Sequence, residues 1–425
     1  MKVKTHQVLS WILYDFANAP FSAVILTFIF STYYTQAIAP DEVTGTFRWA
    51  VVMTLSGLTI GLVSPFFGAI ADQSGRKKPW LITFAAIVIG ITCSLSFVQP
   101  TPVWGWLALV LIFLGSTFYQ ISQVFYNALL ITVAPQPLIG RISGLGWGAA
   151  YLGGLVCLVI TLFFLMPQQN LTPSAMTQGV SQSLLLVALW YTFFALPLVV
   201  LLKEGEKKRF SFRDVKQGIN QLMTTLGCLK EQKTLVGFLI AYFFYSDAIA
   251  TIMSFGGIFA ATVLGFSLYE VILFAIVINC VAGVGAMIFG MIDDRIGPSR
   301  LILYSLCACL LASIMVLSFQ TREIFWVFGC FLGIFIGPIQ SASRSMFSQI
   351  VDQEQITEMF GLYALTGKLS TFIGPLCISL ITHFFRARTA GMFVVVVMFA
   401  IGLILMSRFF HLKFKKSFWD LMKWW

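Results

Sequence analysis

Four ionisable side chains interrupt apolar stretches of this 425-residue chain: Asp15, Asp247, Arg344 and Lys368. A charge in hydrocarbon is costly, and it marks a solute or ion path by default. Arg344 and Lys368 suit an anion, since arginine offers a planar fork and lysine a compact point charge. Asp247 suits a cationic group or a coupling proton. Asp15 reads in two ways. It is a gate residue that exchanges partners as two halves of a molecule rock, or a member of a permanent ion pair with Arg344 or Lys368. Polar residues on the same stretches are secondary candidates: Asn18, Gln123 and Asn127 first, then Tyr14, Gln120, Tyr126, Tyr242, Tyr245 and Gln340. Tyr and Asn in such settings commonly make interhelical hydrogen bonds.

Other chemistries find little support. The three histidines, His6, His383 and His411, form no cluster, and the eight cysteines follow neither zinc nor disulfide spacing. Gly144-x-Gly146-x-Gly148 has the wrong spacing for a dinucleotide fingerprint, and no Walker motif occurs. The glycines of this stretch read instead as close helix packing. No catalytic residue, metal site or cofactor is expected, and no enzyme activity.

The elements that must carry these residues follow from composition. Apolar residues make up 58% of the chain and charged residues only 10%, against about 25% charged in soluble domains. Mean hydropathy is +0.89. Stretches long enough to cross about 30 Å of hydrocarbon fall at 9–37, 47–71, 80–99, 103–133, 142–166, 182–202, 234–263, 268–292, 300–319, 323–351, 361–385 and 389–411. The expectation is an all-α integral membrane protein of 12 transmembrane helices, several of them tilted or bent. With the N-terminus in the cytoplasm, 21 Lys and Arg fall on the cytoplasmic side and three in outer loops (Arg322, Arg386 and Arg388). That bias predicts both termini inside. It also accounts for the net charge of +10 without nucleic acid as a partner.

Residues 203–233 divide the spans into a six-helix unit at 1–202 and another at 234–411. Phe212, Val215, Ile219, Leu222, Met223 and Leu226 recur at helical spacing there, which predicts a basic amphipathic helix on the inner membrane surface. The tail, 412–425, repeats that pattern with Phe414, Phe418, Leu421, Met422 and Trp425. Counting from the inner ends at the rise of an α-helix, Asp15, Arg344 and Lys368 lie roughly 9, 10 and 12 Å deep and Asp247 about 20 Å, near the midplane.

The two units echo each other. Gly68-x-x-x-Asp72-x-x-Gly75-Arg76-Lys77-Lys78 between spans 2 and 3 recurs as Gly290-x-x-x-Asp294-x-x-Gly297 between spans 8 and 9. Phe113-Leu114-Gly115 recurs as Phe331-Leu332-Gly333. With this loop the chain resembles the major facilitator superfamily over essentially its whole length. Three stretches resemble its vacuolar-effluxer-like branch, named after a fungal autophagy-related protein linked to amino-acid efflux. They are Trp11 to Phe21, Gly140 to Gly154, and Gln340 to Phe347 followed by Phe360 to Tyr363 and Gly367 to Ser370. Pro20 departs from the branch, where Ser or Ala is common, and bears on the bend of span 1.

The resemblance implies two six-helix pseudo-repeat bundles with a midplane site between them. It implies that Gly68, Asp72, Gly75, Arg76, Asp294 and Gly297 bias the outward-open state rather than touch substrate. The functional expectation is a monomeric secondary transporter in a lipid bilayer, bacterial inner membrane by its short loops. Its substrate is a small polar or carboxylate-bearing metabolite, amino acids among them, with protons as a coupling partner. Two alternatives stay open: an exporter of a larger amphiphile such as a siderophore or drug, and a non-transporting receptor or scaffold.

Overall fold

The computed structural model describes residues 4–166, 172–204, 212–371, 373–385 and 388–422. Among the described residues, twelve helices are long and apolar enough to span a bilayer. They are α1 (Thr5–Ile38), α2 (Glu42–Ser74), α3 (Lys78–Leu95), α4 (Pro102–Val133), α5 (Gln136–Leu165), α6 (Ser174–Leu201), α7 (Lys233–Val263), α8 (Glu270–Ile296), α9 (Pro298–Phe319), α10 (Arg322–Ile350), α11 (Gln353–Thr382) and α12 (Gly391–Phe409). They form two six-helix bundles, α1–α6 and α7–α12. Each has its own core: Trp11, Tyr14, Phe21, Phe84, Phe125 and Tyr191 in the first, and Phe238, Tyr245, Phe347, Phe360, Phe399 and Met406 in the second.

The long spans bend where the backbone ladder is interrupted. Pro20 has no N–H, so the carbonyl of Phe16 loses its helical donor. Trp190 Nε1 donates to that carbonyl instead, at 3.1 Å. Beyond Pro20 the helix widens, and Ile29 N–H bonds Val24 O, five residues back. The departure from the branch at Pro20 thus coincides with a change of helical pitch in α1. A second interruption falls in α11, whose helix stops at Ser370 and resumes at Ile373.

The two bundles meet mainly toward one end, the basic end, where Arg76, Lys77, Lys78, Arg141 and Arg295 lie. There α2 packs on α11 and α5 on α8. A Cβ on Gly68 would come within 2.5 Å of Thr357 O, one on Gly361 within 2.6 Å of Pro65 N, and one on Gly144 within 2.4 Å of Ala286 O. Only glycine lets these backbones approach so closely. Further from the basic end α5 turns to its own bundle, with Gly153 against the Phe16 carbonyl. Among the described residues, the hydrogen bonds joining the bundles run from Asp72 and Asp294 at the basic end to Tyr151–Gln340. The last pair lies about 12 residues, roughly 18 Å, into α5. The molecule is closed at its basic end.

The connecting segment forms a helix, Phe212–Cys228, but it docks on the bundles as well as presenting an apolar face. Gly218 rests on the backbone of Ala69 and Ile70. Gln73 Nε2 donates to Gln221 Oε1, and Gln221 Nε2 donates to Glu358 Oε2 at 2.6 Å. Ile219 and Met223 stay exposed. The small and polar stripe of Gly218, Gln221 and Thr225 seats this helix across α2 and α11. The side chains of 412–425 and of Ser211, Phe212 and Leu226 lie outside the described residues.

Candidate functional site

Arg344 of α10 enters the opposite bundle. Its Nη1 lies 3.1 Å from Asp15 Oδ2 and donates to Asn127 Oδ1 at 3.3 Å. Nε donates to Ser143 Oγ at 2.9 Å and Nη2 to the Ser143 carbonyl at 2.7 Å. The guanidinium lies 4.8 Å from the ring centre of Trp11 and 5.6 Å from those of Tyr126 and Trp147. Of the two partners open to Asp15, the fold selects Arg344. Both groups are buried. Breaking such a pair and leaving one charge alone costs about 3–5 kcal/mol, so separating the bundles here is costly unless something replaces each partner.

The pocket around Arg344 is held by its own bundle. Trp11 Nε1 donates to Tyr126 O at 3.0 Å and Tyr126 Oη to Trp11 O at 3.2 Å. Their rings stack at 4.4 Å. Gly146 is the floor: a Cβ there would sit 2.9 Å from Arg344 Nη2, Asp15 Oδ2 and Trp11 Cζ3. One turn further along α1, Asn18 Oδ1 accepts from Gln123 Nε2 at 2.6 Å and from Tyr119 Oη at 3.2 Å, while its Nδ2 donates to Tyr14 O. Asn18 and Gln123 thus bond each other, and Asn127 belongs with Arg344.

Lys368 lies elsewhere. The first apolar residues place the start of span 11 at 361, yet the helix begins at Ile356. Lys368 is therefore about 12 residues in, roughly 18 Å from that helix start, and by the same count Asp15 is about ten residues, roughly 15 Å, from the start of α1 at Thr5. The early start has a tertiary cause. Asp72 at the end of α2 accepts from Thr357 N–H and Glu358 N–H, both at 2.9 Å, and from Thr357 Oγ1 at 2.6 Å. A carboxylate there satisfies the first-turn N–H groups and complements the helix dipole. Lys368 is partly exposed and forms no ion pair among the described residues.

Asp247 on α7 is fully buried at the interruption of α11. Its Oδ1 accepts from Gly374 N–H at 3.1 Å, in the first turn of the resumed helix. Its Oδ2 has no partner among the described residues, nor does Thr251 Oγ1 one turn away.

The repeated loop is used twice. Asp294, the counterpart of Asp72, accepts from Arg141 N–H at 3.1 Å in the first turn of α5. Each carboxylate thus caps a helix of the opposite bundle. Gly75 and Gly297 take φ of +64° and +84°, left-handed turns that glycine enters without steric cost. Gly68 lies against Thr357. Arg76 is half-buried, with Nε unpartnered among the described residues, while Lys77 Nζ approaches Asp72 Oδ1 at 3.8 Å. Burial pushes the Lys77 ammonium down from its ordinary value, and Asp72 and Glu204 oppose that. Glu204 Oε1 accepts from Lys77 and Lys78 N–H, both at 2.8 Å. Sequence reasoning missed Trp11, Ser143, Trp147, Glu204 and Glu358. Trp11, Ser143 and Trp147 lie in the branch-specific stretches, the one signal that could have found them.

A family model described as vacuole effluxer Atg22-like matches residues 46–417. The uncharacterised MFS-type transporter YxiO of Bacillus subtilis is 26% identical over 412 residues, 96% of this chain and 95% of that one. Autophagy-related protein 22 of the yeast Vanderwaltozyma polyspora is 28% identical over 301 residues, 64% of this chain and only 56% of the fungal protein. Among solved structures, FucP in the outward conformation superposes with a TM-score of 0.75 at 13% identity, covering 96% of this chain and 99% of that one. A bacterial homologue of the iron transporter ferroportin in its outward-facing state gives 0.69 at 11%, with 96% and 99% covered. At such identities the structural likeness shows the fold alone, which is that of the major facilitator superfamily. The chain belongs to the Atg22-like vacuole effluxer family, a branch of the major facilitator superfamily of transporters.

Proposed function

We propose that this transporter moves a small polar metabolite bearing a carboxylate, amino acids included, by alternating access, with its basic end toward the cytoplasm. The observation that carries the substrate class is Lys368: a partly exposed ammonium at mid-membrane depth without an ion-pair partner among the described residues. Arg344 is the second cation on the path, committed to Asp15 while the basic end is closed and released when it opens. Asp247 carries the coupling proton. Its unpartnered Oδ2 supports that reading, since an uncompensated charge in so buried a place is costly. The excess of Lys and Arg at the basic end supports the orientation. The bacterial inner membrane is the corresponding location, and the chain acts as a monomer without nucleic acid.

The test is thermal stabilisation of the purified protein against amino acids, organic acids and larger amphiphiles. A ligand at about 100 times its dissociation constant adds about 2.7 kcal/mol of stability. A saturable shift from one carboxylate class is expected, lost in Lys368→Gln with the unliganded melting temperature unchanged. A flat response to carboxylates beside a shift from an amphiphile would overturn the substrate class and favour the export alternative.

A further inference from the structure

Arg344 is a cation in a site built entirely by the other bundle. Its acceptors Asp15, Asn127 and Ser143 and its ring neighbours Trp11, Tyr126 and Trp147 come from α1, α4 and α5. Arg344 itself is 4% exposed. Trp11 and Tyr126 are fixed by reciprocal hydrogen bonds and by stacking that do not involve Arg344. Tyr14 stacks on Tyr126 from within the same bundle, at 5.1 Å. The Trp11–Tyr126 wall of the enclosure therefore keeps its shape when Arg344 withdraws.

Withdrawal is what opening the basic end demands, because Arg344 travels with α10 and the enclosure with α1, α4 and α5. What remains is a carboxylate among three aromatic faces, an arrangement that attracts ammonium groups through the ring quadrupoles and leaves Asp15 short of a counter-charge. Trp147 adds a buried Nε1–H with no acceptor among the described residues, a free donor beside the cation.

We propose that Trp11, Tyr126, Trp147 and Asp15 form a binding site for an organic ammonium group, which Arg344 occupies while the basic end is closed and a ligand's amine occupies when it opens. Arg344 is then a tethered competitor, and ligand entering from the basic end replaces the ion pair rather than leaving Asp15 bare. The proposal rests on the alternating-access reading for its role in the cycle, but the site itself does not. For a zwitterion, the freed Arg344 and the Trp147 N–H are donors for its carboxylate.

Binding of tetramethylammonium chloride to the full-length protein, read by tryptophan fluorescence against sodium chloride at equal ionic strength, tests the site. Arg344→Ala, which vacates the enclosure permanently, is expected to bind the probe saturably and at least tenfold more tightly than the wild type. Adding Asp15→Asn or Trp11→Leu is expected to abolish that gain. Where Arg344→Ala is not recovered folded, Arg344→Gln removes the charge with less loss of volume and gives the same readout. A folded Arg344 variant without saturable binding, or with binding untouched by Asp15→Asn, overturns the site. Transport by the wild type alongside that result would leave the transporter reading intact. Probe binding without any transport would retain the site and sink the transport cycle.

Discussion

Gln221 of the connecting helix donates to the Glu358 carboxylate of α11 at 2.6 Å, while its own Oε1 accepts from Gln73 of α2. One side chain outside both bundles thus joins the two helices that close the basic end. Thr225 of the connecting helix is the other side chain that holds the Glu358 carboxylate. A hydrogen bond to a charged group contributes about 1.5–3 kcal/mol. Gln221→Ala is expected to shift the molecule toward opening at the basic end by roughly tenfold or more in population. Spin-label distances between the basic ends of α2 and α11 would measure it. An unchanged distance distribution would show that the connecting helix is only a tether.

The two capping carboxylates differ in strength. Asp72 takes two backbone hydrogen bonds and one from a hydroxyl at the start of α11, whereas Asp294 takes backbone hydrogen bonds alone, from Gly140 and Arg141 at the start of α5. Losing a cap costs about 0.5–2 kcal/mol. Asp72→Ala should destabilise closure at the basic end more than Asp294→Ala, in the same distance measurement and in the rate at which cysteines placed along the α2–α11 seam are labelled. Equal effects would contradict the asymmetry of the caps.

Gly146 has no room for a methyl group. Its Cβ would meet Arg344, Asp15 and Trp11 at 2.9 Å, and overpacking of this kind costs about 1–3 kcal/mol. Gly146→Ala should lower the melting temperature by several degrees. Gly90→Ala is the control: it is exposed, with nothing within 4 Å of its Cβ, and alanine in a helix gains about 0.5–1 kcal/mol over glycine. Similar melting shifts in the two variants would count against the tight fit.

Asp247 separates structure from coupling. Asn at this position keeps an acceptor for Gly374 N–H, so Asp247→Asn should fold with nearly unchanged stability. Leu leaves that N–H buried and unpaired, at a cost of about 1–3 kcal/mol. If Asp247 carries the coupling proton, Asp247→Asn loses the response of transport to an imposed pH gradient. A variant that retains the wild-type response would remove Asp247 from coupling.

Much of this protein was legible before folding was considered. Twelve apolar runs, the Gly68-to-Lys78 loop and its echo at Gly290 to Gly297 were enough for the fold, because hydrocarbon forces each span to satisfy its own backbone. The ionisable residues stood out for the same reason: a charge such as Arg344 or Asp247 is rare in such a run. Their partners were another matter. Asp15 and Arg344 are 329 residues apart, and nothing local in either helix distinguishes that pairing from one with Lys368. Depth misled for Lys368, since apolarity dates span 11 from Gly361 whereas capping by Asp72, 285 residues away from Thr357, starts the helix at Ile356. Only the branch-resembling stretch that holds them marked Ser143 and Trp147, because a serine or tryptophan in a membrane helix is ordinary, and nothing marked Glu358, since a glutamate at a helix end is equally so. Local chemistry determined which segments span and which side chains need a partner. Only the packing of one bundle on the other decided which partner each one found.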